Sequence, residues 1–154
     1  MSKFKKKTTQ DPFSYLISLL GQALWAVLKL PFRGMLNRRN ASTFNQADYR
    51  SYWEAIESKF GQQKTNQDWS QAVIDADKLF DRALRDSRAS GETFADRLKA
   101  SEAKFSSGVY QAIWDAHKLR NAIAHEVGFQ INYDQAKRAA NGIKSGLQSL
   151  GALS

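Results

Sequence analysis

A chain of 154 residues is long enough to bury an ordinary hydrophobic core in one domain without covalent or metal cross-links. It contains no cysteine and only two histidines, which excludes disulfide bonds and thiolate metal sites and disfavours a histidine-built zinc site. Its net charge of +8 is concentrated in residues 1–40, where eight basic side chains stand against Asp11 alone; the other residues carry 15 basic and 14 acidic side chains. The basic character is therefore no evidence that the rest of the chain binds nucleic acid.

The first predicted element is an apolar helix in residues 1–35, a segment separate from the rest. No charged residue lies between Phe13 and Leu28. On a helix turning about 100° per residue, the polar side chains of this stretch share one narrow stripe, and apolar side chains cover the remainder. Pro31 ends the helix, because proline disfavours helix in the preceding residue and cannot continue the hydrogen-bond ladder.

Four interpretations of this segment stay open. An interfacial membrane helix would be held by its apolar face and basic flanks, whereas a transmembrane span usually needs ~20 apolar residues, slightly more than are present. The helix could also pack on the protein or on a partner, while a cleaved signal is disfavoured because Trp25, Lys29 and Pro31 occupy the cleavage region. We expect association with the cytoplasmic face of a membrane, peripheral or single-span, or otherwise a cytoplasmic protein. The residues expected to meet anionic lipid are Lys3, Lys5, Lys6, Lys7, Lys29, Arg33, Arg38 and Arg39.

Residues 36–45 are predicted to form a linker, since they are polar, lack periodicity and are rich in Asn and Ser. Residues 46–154 are predicted to form an all-α domain, because apolar residues recur every three or four positions and no stretch alternates like a half-buried strand. The expected architecture is an antiparallel bundle of four to five helices. The apolar residues that define five helices are, in chain order, Tyr49, Tyr52, Trp53, Ile56 and Phe60; Trp69, Val73, Ala76, Phe80 and Ala83; Phe94, Leu98 and Phe105; Val109, Ile113, Ala116, Ile123 and Val127; and Ala136, Ala140, Ile143 and Leu147.

Terminating and capping residues predict the helix ends. The first helix is expected to stop at Gly61, because glycine commonly follows a helix end. The third is short and opens at Ser90 or Gly91, and the fifth starts near Asn132, a favourable N-cap. The second and fourth are expected over about residues 68–88 and 108–127. The aromatic residues are interpreted as core packing rather than as a nucleobase-stacking platform, since no basic groove accompanies them.

Both histidines lie in the fourth predicted helix, within the sequence WDAHKLRNAIAHE of residues 114–126. His117, Asn121 and His125 are four residues apart and share one helix face. Arg120 falls at the edge of the apolar stripe, where it must be paired or face an interface, because an unpaired buried charge is too costly. Arg120 and His125 are about 140° apart around the helix, so they would meet one substrate best across a two-fold axis joining two such helices.

Arg120, Asn121 and His125 resemble the signature of the HEPN superfamily, an arginine followed after four to six residues by a histidine. The surroundings are similar too: a long second helix reading AVIDADKLFDRAL, a short GETFADRL helix, and the motif late in the fourth helix. The resemblance covers roughly residues 45–150. It implies a helical bundle that dimerises through its motif helices, and active members are metal-independent endoribonucleases, many of them toxins or defence effectors.

Carried onto this chain, the resemblance implies a role for each motif residue. His125 would be the general base or acid at the ribose 2′-hydroxyl, Arg120 would stabilise the charged phosphorane, and Asn121 would orient the phosphate. Histidine titrates near neutrality, and arginine offers a permanently charged, forked donor to phosphate oxygens. Cleavage of single-stranded RNA would leave a 2′,3′-cyclic phosphate without metal or cofactor, and an antitoxin or other neutralising partner is a further expectation.

Two neighbouring residues and one alternative complete these hypotheses. His117 is interpreted either as a second proton carrier or, preferably, as a surface or cap-like residue. Glu126 would hold the imidazole or, preferably, be solvated. In a non-catalytic HEPN-like module, Arg120 and Asn121 would instead hydrogen-bond across the dimer and His125 would pack in the interface. The near-neutral charge of the helical domain favours this alternative slightly, because RNA affinity depends on phosphate neutralisation, and a bundle unrelated to the family also stays open.

Overall fold

The computed structural model describes residues 44–61 and 64–154, which belong to one compact unit. The predicted helix in residues 1–35 and positions 36–43 of the predicted linker lie outside the described residues. No helix within the described ranges is both long and apolar enough to cross a bilayer. The secondary structure of these ranges is entirely helical, which confirms the all-α prediction. Five α-helices are present there: α1 (Gln46–Glu57), α2 (Asn66–Asp86), α3 (Phe94–Ala100), α4 (Ser107–His125) and α5 (Tyr133–Leu150).

Contacts at the two ends of α1 show that it runs antiparallel to α5. The Gln46 side chain at the start of α1 donates a hydrogen bond to the carbonyl of Gly151, just beyond α5. Near the other end of α1, Glu57 accepts a 2.7 Å ion-paired hydrogen bond from Lys144 in the middle of α5. The α1 helix also runs antiparallel to α2, because Tyr49 near its start bonds Asp86 at the end of α2.

The α2 and α5 helices run parallel and meet at the centre of the bundle. The start of α2 approaches the start of α5, where the Asn66 side chain donates to the carbonyl of Ile131. Further along, Gly146 of α5 lies against Phe80 of α2 and Ile113 of α4, so closely that an added Cβ would be 2.7 Å from the Phe80 ring and 2.9 Å from Ile113 Cδ1. Three helices therefore converge on this glycine.

The predicted end of the first helix and start of the fifth are confirmed. A 3-10 turn, Ser58–Phe60, follows α1 and leads to Gly61. Asn132 caps α5: its side chain accepts a hydrogen bond from the backbone N–H of Gln135, whose side chain accepts one from the Asn132 N–H. This reciprocal capping box satisfies two backbone donors that a helix start would otherwise leave unpaired.

The third helix differs from its predicted bounds at both ends. It begins after Thr93, which forms a capping box with Asp96, and not at Ser90 or Gly91. Gly91 has a φ of +125°, a conformation outside the helical region that favours glycine. The helix ends at Ala100, and Phe105 follows a separate 3-10 turn in an extended conformation, so it is not on the face of α3. Phe105 still packs partly buried against the core.

One further expectation is wrong, and one residue of the predicted linker is buried. Val127, predicted on the apolar face of the fourth helix, is fully exposed because α4 ends at His125 and Glu126 is extended. Phe44, predicted in the polar linker, is only 7% exposed. Its ring lies edge-on to the Tyr49 ring with centroids 5.4 Å apart. The chain therefore joins the core just before α1, because one aromatic residue interrupts an otherwise polar stretch.

Candidate functional site around Arg120

The α4 helix supplies every residue of the predicted motif. It begins after Ser106, whose hydroxyl accepts a hydrogen bond from the Val109 N–H. Only two of its 19 residues are buried, against eight of 21 in α2. Five other apolar side chains of α4 are only partly buried: Val109, Tyr110, Trp114, Leu119 and Ile123. The bundle therefore covers α4 incompletely, and part of its apolar surface is left accessible.

Arg120 is paired within the chain, which is one of the two arrangements that its position on the helix predicted. Its Nε lies 3.6 Å from Asp77 Oδ2, and its Nη1 donates a 3.0 Å hydrogen bond to Asn121 Oδ1. Nε is buried and makes no hydrogen bond within the described residues, so its attraction to Asp77 is that of an ion pair. The Arg120 side chain as a whole is 29% exposed. The guanidinium is thus held on one side and accessible on another.

Asp77 is the site residue that sequence reasoning missed. It lies on α2 with its carboxylate almost fully buried, four residues after Val73 and three before Phe80, both of which are buried. A charged residue at core spacing in an apolar stripe needs a partner, because burial of an isolated charge is too costly. The position of Asp77 in AVIDADKLF therefore indicated that it needs a partner, although the sequence did not show which residue that partner would be.

His117 is a second partner of Asp77, besides Arg120. The interpretation of His117 as a surface or cap-like residue is therefore wrong. Its Nδ1 donates a 2.8 Å hydrogen bond to Asp77 Oδ1, since a carboxylate accepts. The imidazole is 17% exposed and stacks on the Phe94 ring, with centroids 3.9 Å apart and planes within 3°. His117 is therefore part of the packed contact among α2, α3 and α4.

His125 and Glu126 lie at the exposed end of α4. His125 is the last residue of the helix, and Glu126 follows it in an extended conformation. Within the part of the chain that the structure describes, no hydrogen bond or ion pair joins His125 to Arg120 or to Glu126. One copy of the chain thus brings Arg120, Asn121 and Asp77 together, with His117 beside them, but does not bring His125 to the guanidinium.

Other concave or acidic features lie elsewhere. A cleft of about 430 Å³ between α1 and α2 is lined by residues that include Ile56 and Leu79. Another of about 310 Å³ between α4 and α5 is lined by residues that include Leu119 and Arg138. None of the motif residues lines either cleft. Over residues 44–61 and 64–154, no group of three or more His, Asp or Glu side chains is arranged to bind a metal ion.

The whole chain was also compared with known proteins. No protein-family model matches it, and no curated protein or solved structure is significantly similar to it. The assignment of a function therefore depends on the chemistry of Arg120 and its neighbours.

Proposed function

We propose that this protein is a metal-independent endoribonuclease of the HEPN type that acts as a dimer. The observation that carries the proposal is the state of Arg120. Its guanidinium is held by Asp77 and Asn121, while Nη2 makes no hydrogen bond to the described residues and the side chain is 29% exposed. A held, permanently charged donor with a free nitrogen suits the recognition of a phosphate oxygen.

The reaction needs a proton acceptor, a proton donor and a cation at the phosphate. The 2′-oxygen would attack the neighbouring phosphorus as its proton passes to a base, and the 5′-oxygen would leave with a proton from an acid. The products are a 2′,3′-cyclic phosphate and a 5′-hydroxyl. His125 is exposed at the end of α4, so its imidazole is accessible for the proton transfer. Arg120 would stabilise the extra charge on the phosphorane.

The proposed dimer would bring Arg120 and His125 together, an arrangement that a single chain does not provide. Among the described residues, no hydrogen bond or ion pair joins His125 to Arg120 of the same chain, and the two residues are about 140° apart on α4. A two-fold axis beside α4 would place His125 of one copy near Arg120 of the other. The partly buried apolar residues of α4 are the surface that such an axis would cover.

A membrane tether is part of the same proposal. The basic and apolar residues 1–35 would hold the protein to the anionic cytoplasmic face of a membrane through electrostatic attraction and apolar burial. Failure of anionic vesicles to retain the full chain at low salt would remove this part of the proposal.

The second candidate is a non-catalytic module at the membrane that dimerises or binds a ligand. The ion pair between Arg120 and Asp77 favours it, because part of the arginine charge is already neutralised inside the chain. This candidate predicts that Arg120→Ala or Asn121→Ala weakens the dimer while no variant affects RNA.

Cleavage of labelled single-stranded RNA by the full chain, in excess EDTA, tests the first candidate. We expect wild type to leave cyclic phosphate ends, and His125→Ala and Arg120→Ala each to lower the rate roughly 100-fold or more. Lys118→Ala is the matched control, since Lys118 is a 69% exposed cation on the same helix that pairs only with Asp115 among the described residues. It should cut like wild type. Absence of cutting by folded, dimeric wild type would favour the non-catalytic module.

A further inference from the structure

A continuous set of contacts leads from α3 to the guanidinium of Arg120. The Phe94 ring of α3 stacks on His117 of α4 at 3.9 Å. The Nδ1 of His117 donates to Asp77 Oδ1 at 2.8 Å, and the other oxygen, Asp77 Oδ2, lies 3.6 Å from Arg120 Nε. The two carboxylate oxygens of Asp77 are thus divided between two side chains of α4 that are three residues apart.

Each contact restricts the next one. Parallel stacking on Phe94 fixes the plane of the His117 imidazole, so its Nδ1–H has one direction in which to donate. That hydrogen bond fixes the rotation of the carboxylate of Asp77, a residue that is only 5% exposed. The second oxygen then faces Arg120 Nε. Asn121 Oδ1 accepts a hydrogen bond from Nη1, which adds a second restraint on the guanidinium.

We propose that Asp77 is a positioning residue for Arg120, and that His117 acts through Asp77 and not on the substrate. This proposal rests on the proposed ribonuclease activity, because only that activity gives the orientation of Arg120 a catalytic purpose. Held in this way, Arg120 keeps its free nitrogen, Nη2, in one place for a phosphate oxygen. An unrestrained arginine would have to be ordered at each turnover, and misplacement by about 1 Å can cost roughly 100-fold in rate.

Substitutions test the two contacts of Asp77 separately, one with Arg120 and one with His117. Asp77→Asn keeps a carbonyl oxygen that can still accept from His117, but it removes the negative charge and can place an N–H against Arg120 Nε. His117→Ala removes the hydrogen bond from His117 to Asp77 and leaves the Asp77 carboxylate free to rotate. His117→Asn restores a side-chain N–H near the position of Nδ1 and is the conservative rescue. Asp75→Asn is the matched control, because Asp75 lies on α2 two residues before Asp77 and pairs with Lys59, away from α3 and the motif.

The first readout is the NMR signal of the Arg120 Nε–H in the full chain, which does not depend on any activity. In wild type we expect this buried proton to exchange slowly with water, compared with the Nε–H of Arg85, whose side chain is 56% exposed. Asp77→Asn and His117→Ala should speed its exchange roughly tenfold, the scale of a lost interaction with a charged group. His117→Asn should recover most of the protection, and Asp75→Asn should leave it unchanged.

The second readout is cleavage of RNA. Asp77→Asn and His117→Ala should lower kcat/KM roughly 100-fold, His117→Asn should recover part of the loss, and Asp75→Asn should cut like wild type. If His117 instead carried a substrate proton, His117→Asn would be as inactive as His117→Ala, and the proposal would be overturned. If Asp77→Asn does not fold, the two His117 variants and the exchange rate of the Arg120 Nε–H in wild type still test the positioning role.

The two readouts also separate this proposal from the proposed function. If wild type cuts no RNA while the Nε–H responds as expected, the ribonuclease is wrong and the positioning of Arg120 by Asp77 stands. If wild type cuts RNA while Asp77→Asn leaves both the exchange rate and the cleavage unchanged, the positioning role is wrong and the ribonuclease stands.

Discussion

At the scale of single residues, Tyr49 shows how burial couples ionisation to folding. The side chain is fully buried between α1 and α2, and its hydroxyl donates a 2.8 Å hydrogen bond to Asp86 Oδ2. Burial raises the pKa of the Tyr49 phenol well above its ordinary range, and the hydrogen bond to Asp86 raises it further. The neutral form of the tyrosine is therefore the one that the folded state requires.

This coupling predicts a loss of stability in alkali. The unfolded chain loses the Tyr49 proton near pH 10 while the folded chain keeps it, so above that pH the folded state binds more protons. The free energy of unfolding then falls with pH, by at most about 1.4 kcal/mol per pH unit from this residue. Below pH 10 the contribution is fully present.

Urea unfolding from pH 8 to 11 measures the effect. We expect Tyr49→Phe to show a shallower alkaline decline than wild type, because phenylalanine has no proton to lose. Tyr52→Phe, at an exposed position on the same helix, is the control and should follow wild type. Parallel alkaline profiles for wild type and Tyr49→Phe would contradict the interpretation.

At the scale of helices, the close approach of α5 to α2 and α4 depends on glycine. An added Cβ at Gly142 would lie 3.0 Å from Ala112, a tight contact, whereas one at Gly146 would lie 2.7 Å from Phe80, where there is no room for it. Glycine costs helix stability, by roughly 1 kcal/mol relative to alanine in a helix interior. The packing of three helices offsets that cost, since it lets the aromatic ring of Phe80 reach the α5 backbone.

Substituting alanine for glycine should therefore have opposite effects at two positions. Gly146→Ala would place Cβ 2.7 Å from the Phe80 ring, and we expect it to lower the free energy of unfolding by about 1–3 kcal/mol despite alanine's better helix propensity. Gly108→Ala, near the start of α4 with open space around it, should raise it by up to about 1 kcal/mol. Thermal and urea unfolding measure both. If both variants changed the free energy of unfolding in the same direction, helix propensity and not packing would control the effect of a side chain at Gly146.

At the scale of the whole molecule, the incomplete burial of α4 bears on self-association. The helix carries several partly buried apolar residues and ends with two exposed positions, Ala124 and His125. An isologous dimer would use the same surface of both copies, so a residue near the two-fold axis would meet its own equivalent. Ala124, small and between Asn121 and His125, is well placed for such a contact.

Sedimentation equilibrium of the full chain tests this dimer. We expect Ala124→Glu to raise the dissociation constant at least about tenfold, because two like charges would face each other across the axis. Ala55→Glu introduces the same charge at an exposed position of α1 and should leave the constant unchanged. A monomeric wild type, or equal effects of the two variants, would exclude α4 as the dimer surface.

Much of the helical domain could be predicted from the residues alone, because helix formation is largely a local matter. Apolar spacing predicted the five helices, and Gly61 and Asn132 correctly predicted an end and a start. Local signals also misled: Thr93, not Ser90 or Gly91, caps α3, because the paired hydrogen bonds of Thr93 and Asp96 satisfy the free backbone donors. Val127 continued an apolar period beyond the point where the backbone leaves the helix.

The composition of the site was decided only by tertiary structure. The sequence by itself determined that Arg120 needed a partner or an interface, since a charge on an apolar stripe is costly to bury. It did not identify Asp77, 43 positions earlier in the numbering, or place His117 between that carboxylate and Phe94. Such pairings depend on how α2, α3 and α4 pack, and packing is a property of three surfaces together that no single helix contains.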